Sequence, residues 1–417
     1  MNYRNIFFPL HPIEHNGYSW GERLTFFSRL KIGLREIFFG KNFRYKLIII
    51  INFIKHMIFN IYNLILFPII ILIYLCNFRF IHISSWQIGS YVHQLDTTIK
   101  QNKLEKKFRL ILLCPNFICS NDFISQIFSK EIICIKDLIL YIFFLPFIHN
   151  PLISISPWNF ETQNKNSIFN KIHQNYSKRF KKSILNLKTI NLPKTFLKED
   201  YKNTVCIHLR DGYYENSNTD RNVNINSLKK TINFLLKKKY KIIRFINSKS
   251  KKLSIKNKNY SEFIILSEYD KLIQFLIINS CKLVIGSQSG VLNYNLISNT
   301  PFLLTNAIPI NNIMVIKKKD MYVFKKFKRK NKYLNIREII DYNFHINPEK
   351  IYEDIRIIDN TADEILNATK EILKLKKFKI SKKLAKNYKS SIKNIGAFYT
   401  NARITKYFLL KNKFIIK

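Results

Sequence analysis

From Val205 onward the apolar and polar positions alternate in blocks whose lengths separate strand from helix. Short apolar runs at 205–209, 242–246, 263–266, 282–285 and 301–305 predict buried strands. Longer runs with helical spacing lie between them and predict helices over about 227–239, 270–280 and 289–298. Strands separated by helices of this length make a parallel sheet covered on both faces. The pattern from Phe78 is similar but looser. "FRFIHISSWQIGS" predicts a strand running into a loop at Gly89, and "FRLILLCPN" and "KEIICI" predict strands with a short helix, "DFISQIFS", between them. Residues 160–200 are polar and predict a helix followed by a linker.

"NTADEILNATKEILKLKKF" adds a helix near the end, and no internal repeat of fixed period occurs. The expected fold class is therefore α/β, with two Rossmann-like domains. The expected organisation is a basic N-terminal region (1–46), a hydrophobic segment (47–76), a first domain (78–195), a second domain (200–380) and a basic tail (381–417). The N-terminal region holds one candidate amphipathic helix, "FFSRLKIGLREIFFG".

Residues 47–76, "LIIIINFIKHMIFNIYNLILFPIIILIYLC", carry no charge from Met57 to Cys76. That is about the length of a membrane-crossing helix. Two readings fit: membrane attachment and a buried core helix. Lys and Arg are abundant on both sides, so both flanks prefer the cytoplasm. A re-entrant or surface-lying segment, broken near Lys55, His56 and Pro68, fits better than a plain single span, and both termini are expected to be cytoplasmic.

Composition narrows the partners. The chain has 417 residues, 47% hydrophobic, and a formal charge of +43 from 70 Lys+Arg against 27 Asp+Glu. Such a balance suggests nucleic acid or an anionic membrane surface. Lysine is spread along the whole length with Ile and Asn, as in the product of an AT-rich coding sequence, and no compact Arg-rich groove stands out. Nucleic acid is therefore not an expected partner; phosphorylated substrates and acidic lipid are. The six cysteines (76, 114, 119, 134, 206, 281) form no CxxC pair and no metal-ligand spacing, which fits a reducing compartment. The N-terminus lacks the basic, apolar, small order of a secretory signal.

Chemistry-bearing residues concentrate in two places. "VCIHLRDGYYENSNTDRN" (205–222) places His208, Arg210, Asp211, Glu215, Asp220, Arg221 and Asn222 directly behind a strand. Alternation along that strand puts Cys206, His208 and Arg210 on one side. The second place is "KLVIGSQSGVLNYNLI". It holds two of only 9 glycines, where average usage near 7% gives roughly 29. Gly286 ends a strand there, and Ser287, Gln288, Ser289 and Gly290 open the next helix, whose free N–H groups suit a phosphate. Thr305 and Asn306 end a third strand. All three clusters leave one edge of one sheet, where open parallel sheets bind ligands. Plainer roles stay open: a hydrogen-bonded His208 at a strand end, surface ion pairs for Arg210–Asp211 and Asp220–Arg221, solvated charges at Glu215 and Asp220, a serine-capped turn at 286–290, and a structural carboxylate partner for Arg244 in "KIIRFIN".

These segments together resemble a family of bacterial glycosyltransferases whose pattern runs H-x-R-[DE] plus Gly, then R-N, a helix, a strand with Arg, and G-[ST]-x-S-G before a helix. Here the matching residues are "HLRDG", "RN", Arg244 and "GSQSG", so the resemblance covers residues 200–310 well and the first half loosely. More distantly, the region is similar to fucosyltransferase-like and heptosyltransferase-like donor domains of GT-B fold. One departure is "RFINSK", where relatives have a glycine after the strand.

The resemblance implies two Rossmann-like domains of GT-B type and transfer of a sugar from a nucleotide-diphosphate sugar. The acceptor would be a glycan or lipid-linked species of the cell envelope, at the cytoplasmic face of the bacterial inner membrane. It implies Arg210 at the diphosphate, with Arg221, Asn222, Arg244, Gly286–Gly290 and Asn306 as further donor-binding candidates. His208, Asp211 and Glu215, in that order, are candidates for the base. No DxD-like pair stands out, so no metal and no resident cofactor is expected. A non-catalytic membrane-associated scaffold for envelope assembly is the alternative.

Overall fold

The computed structural model describes residues 43–416 except 84, 86–87, 106, 116–118, 120, 151, 156–164, 181–184, 186–199, 212–220, 309, 311–312, 314, 342–353 and 394–399. The amphipathic segment at 26–40 and the candidates Glu215 and Asp220 lie outside the described residues. The chain divides into two compact units, residues 1–165 with 184–189, and residues 166–183 with 190–417. Both are mixed α/β with parallel sheets.

The first unit begins with α1 (Phe43–Ile65) and α2 (Phe67–Leu75), followed by β1 (Phe78–Ile81), α3 (Ile88–Glu105), β2 (Arg109–Leu113), α4 (Asp122–Ile127), β3 (Ile132–Ile135), α5 (Leu138–Phe144) and β4 (Ser154–Ile155). The strands form a parallel sheet in the order β3-β2-β1-β4. Pro68, in the first turn of α2, is tolerated there because that N–H has no helical acceptor. Ile70 of α2 packs with Phe80, Leu113, Tyr141 and Phe147, and Phe59, Tyr62, Leu66 and Ile73 close over them. One face of the 47–76 segment is thus core. Gly89, expected in a loop, sits inside α3: the polar run "SYVHQLDTTIKQN" is helical and buried, with Lys100 donating to Asp96 at 2.6 Å. Ile88, Val92, Leu95 and Ile99 recur at helical spacing, but the polar residues between them are buried too, so the helix lacks the polar outer face that usually marks one.

The second unit contains α6 (Lys165–Arg179), β5 (Thr204–His208), α7 (Lys229–Lys237), β6 (Lys241–Ile246), β7 (Tyr260–Ile264), α8 (Glu268–Ser280), β8 (Leu283–Gly286) and β9 (Phe302–Ala307). It continues with β10 (Met321–Phe324), β11 (Lys326–Arg329), β12 (Lys332–Tyr333), α9 (Ile336–Asp341), β13 (Ile355–Ile358), α10 (Ala362–Ile372), α11 (Lys382–Lys393), β14 (Arg403–Ile404) and α12 (Lys406–Lys411). Seven strands pair in the order β14-β10-β9-β8-β5-β6-β7, every pair parallel. β11, β12 and β13 make a small antiparallel sheet.

Sequence chemistry accounts for this arrangement. β5, β8 and β9 are buried on both faces, as the centre of a parallel sheet requires. α8 and α10 each start at a capping box, Ser267 with Asp270 and Thr361 with Glu364, which satisfies N–H groups a helix start leaves open. α7 packs on β6 and α10, and α10 packs on β9 and β10. Two expected boundaries change. The helix at 165–179 belongs to the second unit, and residues 403–404 of the expected tail pair with β10 inside its sheet.

Candidate functional site

Counted by first appearance within the second unit, β7-β6-β5-β8-β9-β10 run 3-2-1-4-5-6. The order reverses between β5 and β8. In a doubly wound sheet the connections leaving two such strands go to opposite faces, which opens a crevice beyond their carboxyl ends where nucleotides bind. The two sequence clusters leave the sheet at that point: His208 ends β5 and faces Gly286, the last residue of β8, across the pairing.

The two loops are tied to each other. The Ser287 N–H donates to the His208 carbonyl at 3.2 Å, and the Arg210 N–H donates to Ser287 Oγ at 2.9 Å. Glycine at 286 is required by space: a Cβ there would lie 2.5 Å from Leu292 Cδ1 and 2.9 Å from the His208 carbonyl oxygen. Thr305 of β9 donates to the Gly286 carbonyl at 3.1 Å, which adds the third strand end to the same edge. Arg210 is buried, and its carbonyl accepts the Val223 N–H at 2.9 Å. Both ends of the 211–221 excursion are therefore anchored at the sheet. Lys325 holds its far side, donating to the Asn222 carbonyl at 2.6 Å and pairing with Asp359 at 2.8 Å. Asp359 in turn accepts the Asn224 N–H.

Several polar atoms at this edge are buried and have no hydrogen-bond partner among the described residues: His208 Nδ1, Asp211 Oδ1, Asn222 Oδ1 and Ser289 Oγ. Buried polar atoms are ordinarily paired, so such a group at a strand-end crevice marks a place for a ligand or water. Ser289 is informative. It occupies the N-cap position of the following turn, yet its hydroxyl makes no cap bond, so the plain serine-cap reading of the turn does not hold. The turn itself differs from expectation: Gly290–Leu296 is a seven-residue 3-10 helix. Gly290 through Tyr294 cannot supply the aligned dipole of a longer α-helix, and any anion contact there comes from individual N–H groups.

Burial lowers the His208 pKa to about 4; the Asp211 carboxylate opposes this and Arg244 adds to it, while a hydrogen bond to the Phe245 backbone favours the charged form. The imidazole is neutral at physiological pH. Arg244 is 1% exposed and both terminal nitrogens are engaged in structure: Nη1 donates to Glu262 Oε1 and to the Lys251 carbonyl, each at 2.7 Å, and Nη2 donates to Asp211 Oδ2 at 3.3 Å, while Nε has no hydrogen-bond partner among the described residues. The structural-carboxylate reading of Arg244 is the one its contacts describe. Asn306 is likewise committed. It adopts a left-handed φ of 52°, and it exchanges hydrogen bonds of 2.6 Å with Asn360, each side-chain oxygen accepting the other's N–H. Gln288 follows Ser287 in the turn, and Arg221 lies two residues before Val223, whose N–H bonds the Arg210 carbonyl.

Sequence reasoning missed Lys325, Asp359, Asn360 and Glu262. All four act across long separations in sequence, and no local signal marks them. Among the described residues no group of three or more His, Cys, Asp or Glu side chains is placed to hold a metal ion.

No protein-family model matches the chain, and no curated protein matches it. Among solved structures, the chain is similar to that of Escherichia coli ADP-heptose LPS heptosyltransferase II, with a TM-score of 0.41 and 8% identity over 71% of this chain and 99% of that one. A likeness of that strength carries no inference about activity.

Proposed function

We propose that this protein is a glycosyltransferase that moves a sugar from a nucleotide-diphosphate sugar to a glycan or lipid-linked acceptor of the cell envelope. One observation carries the reading: the His-Arg-Asp loop and the Ser-Gly turn are hydrogen-bonded together at the β5/β8 reversal of a doubly wound sheet, with buried polar atoms around them that have no partner among the described residues. That is where such a sheet accommodates a nucleotide. The resemblance of "HLRDG" and "GSQSG" to glycosyltransferase motifs supports sugar transfer over other nucleotide chemistry.

In the reaction, the acceptor oxygen attacks the anomeric carbon and the carbon–oxygen bond to the diphosphate breaks. The bonding electrons leave on the nucleoside diphosphate, and the acceptor proton passes to a base. Arg210 and Arg221, with the N–H groups of residues 288–290, stabilise the departing charge. A planar guanidinium suits this because it holds phosphate through a fork. The first candidate for accepting the proton, ahead of Asp211, is His208, which is neutral and has no partner at Nδ1 among the described residues. Its low pKa makes it a weak base until a bound ligand changes its surroundings. Asp211, held by Arg244, orients the site. We place the enzyme at the cytoplasmic face of the bacterial inner membrane, attached through residues 47–76.

A donor screen with GDP- and UDP-sugars, read by thermal shift and then by product analysis, tests the proposal. Stabilisation by a nucleoside diphosphate and turnover of one donor are expected. No stabilisation by any donor would favour the non-catalytic scaffold.

A further inference from the structure

The first unit carries an apolar surface that extends beyond residues 47–76. α1 and α2 meet at a 72° bend, and among the described residues no single helix is long and apolar enough to cross a membrane. α5 lies beside them. The Tyr62 hydroxyl donates to the Phe143 carbonyl at 3.1 Å, the two rings meet edge-on at 6.0 Å, and the Asn63 amide donates to the Pro146 carbonyl at 3.0 Å. These contacts fix α1 to α5 and to the 3-10 turn that follows it, and Ile70 of α2 packs in one cluster with Tyr141 of α5. Each helix also carries exposed apolar side chains: Leu64 is 75% exposed, Leu75 72% and Ile139 77%, and Ile61, Leu72 and Ile142 are exposed on the same three helices. Single exposed apolar residues are ordinary, whereas a continuous face of them marks an interaction surface.

The chemistry of that face selects its occupant. Neither Met57–Cys76 nor Leu138–Ile148 contains a charge. Protein interfaces carry about one hydrogen bond per 100–200 Å², and the exposed side chains of α5 (Leu138, Ile139, Leu140, Ile142 and Phe143) offer no hydrogen-bonding atom. An exposed ring and an exposed cation lie where α2 meets the sheet: Tyr74 is exposed over the buried Arg79 guanidinium, 4.4 Å away, and Arg109, exposed at the start of β2, is 5.4 Å from the Phe78 ring. Aromatic and cationic side chains at the edge of an apolar face suit the level of lipid headgroups. The chain's excess of 70 Lys+Arg over 27 Asp+Glu complements anionic lipid.

We infer that α5 inserts into one leaflet of an anionic bilayer beside the α1–α2 elbow, so that a helix more than 60 residues downstream joins the elbow in one monotopic membrane-embedded face. This rests on the membrane attachment proposed for residues 47–76 and is independent of sugar transfer.

The test uses the purified full chain, freed of detergent and floated with vesicles of three parts phosphatidylcholine to one part phosphatidylglycerol. Wild type should float and stay bound in high salt. Ile139→Glu/Ile142→Glu should lower the bound fraction by about tenfold or more, since charge is costly in the apolar layer. Leu266→Glu, at an exposed apolar position of the second unit, should change nothing. Should the double variant misfold, a fluorophore on Ile139→Cys, with exposed Cys76 changed to Ser, decides alone: lipid-borne quenchers should suppress its emission. Failure of wild type to float would overturn both this inference and the attachment of 47–76. Flotation of the double variant at the wild-type level, or an unquenched label, would overturn the α5 inference and leave that attachment standing. A dimer in solution that shields residue 139 without vesicles would also overturn it, by assigning the face to a second copy.

Discussion

Replacing Arg244 by Met should loosen the β5–β7 half of the second unit without touching the first. The guanidinium is buried between two carboxylates, with side-chain exposure of 13% at Glu262 and 2% at Asp211. In the variant, Glu262 Oε1 keeps the Leu253 N–H at 2.9 Å and the Tyr260 hydroxyl at 2.8 Å, so its loss is partial. Asp211 fares worse, because its Oδ2 loses the Arg244 bond and its Oδ1 already has no partner among the described residues. The Lys251 carbonyl also loses a donor. Leaving a buried carboxylate uncompensated in this way costs about 3–5 kcal/mol. Hydrogen exchange read by mass spectrometry is the suitable assay, because it reports local opening without treating a chain of two units as one transition. Peptides from β5, β6 and β7 should exchange about a hundredfold faster or more, while those from β1 to β3 serve as an unchanged internal control. A loss under about 1 kcal/mol would refute the structural assignment and return Arg244 to the ligand-binding set.

Two further outcomes follow from the same edge of the sheet. His208 has a folded pKa near 4, below the unfolded value of about 6.5, so the unfolded chain binds the extra proton and stability falls as pH drops through that window. The full effect is about 3 kcal/mol, and His208→Gln should remove that share of the pH dependence between pH 7 and pH 4 in thermal unfolding; an identical pH profile would count against it. Gly286→Ala places a methyl group against Leu292, which can rotate, and against the His208 carbonyl, which cannot, at a cost of about 1–3 kcal/mol together with weakened donor binding. Wild-type thermal stability in that variant would show that the close approach of β5 and β8 is slack.

The parts of this architecture that were legible in the sequence share one physical property. β5, β6, β8 and β9 are apolar runs because they are buried on both faces, and α7, α8 and α10 carry either a clear apolar stripe or a capping box. β7 was displaced from the expected 263–266 to Tyr260–Ile264 because it is a half-exposed edge strand, where pairing with β6 rather than burial sets the limits. β11 escaped notice since its strand reads "KFKR"; Lys326 is buried only because Glu364, far along the chain, holds it at 2.8 Å. The strand ends that make the site were visible, but the order reversal that gives them meaning depends on which strands pair. Likewise Arg210 and Ser287 announced themselves by composition, whereas the Asn306–Asn360 exchange spans 54 residues and could not.

In the proposed enzyme the His-Arg-Asp loop and the Ser-Gly turn hold one nucleotide-diphosphate ligand between them. A double-mutant cycle on Arg210→Ala and Ser289→Ala, with UDP and GDP affinity measured by calorimetry, tests it. Ser289 makes no cap bond, so its replacement should leave thermal stability within about 0.5 kcal/mol. Arg210→Ala should weaken binding by about 1.5–3 kcal/mol, as expected for charge-assisted bonds to phosphate, and Ser289→Ala by about 1 kcal/mol. If both contact the same diphosphate, the double variant should lose less than the sum by more than about 0.5 kcal/mol. Full additivity, or diphosphate affinity unchanged in both single variants, would contradict a shared site at the β5/β8 reversal.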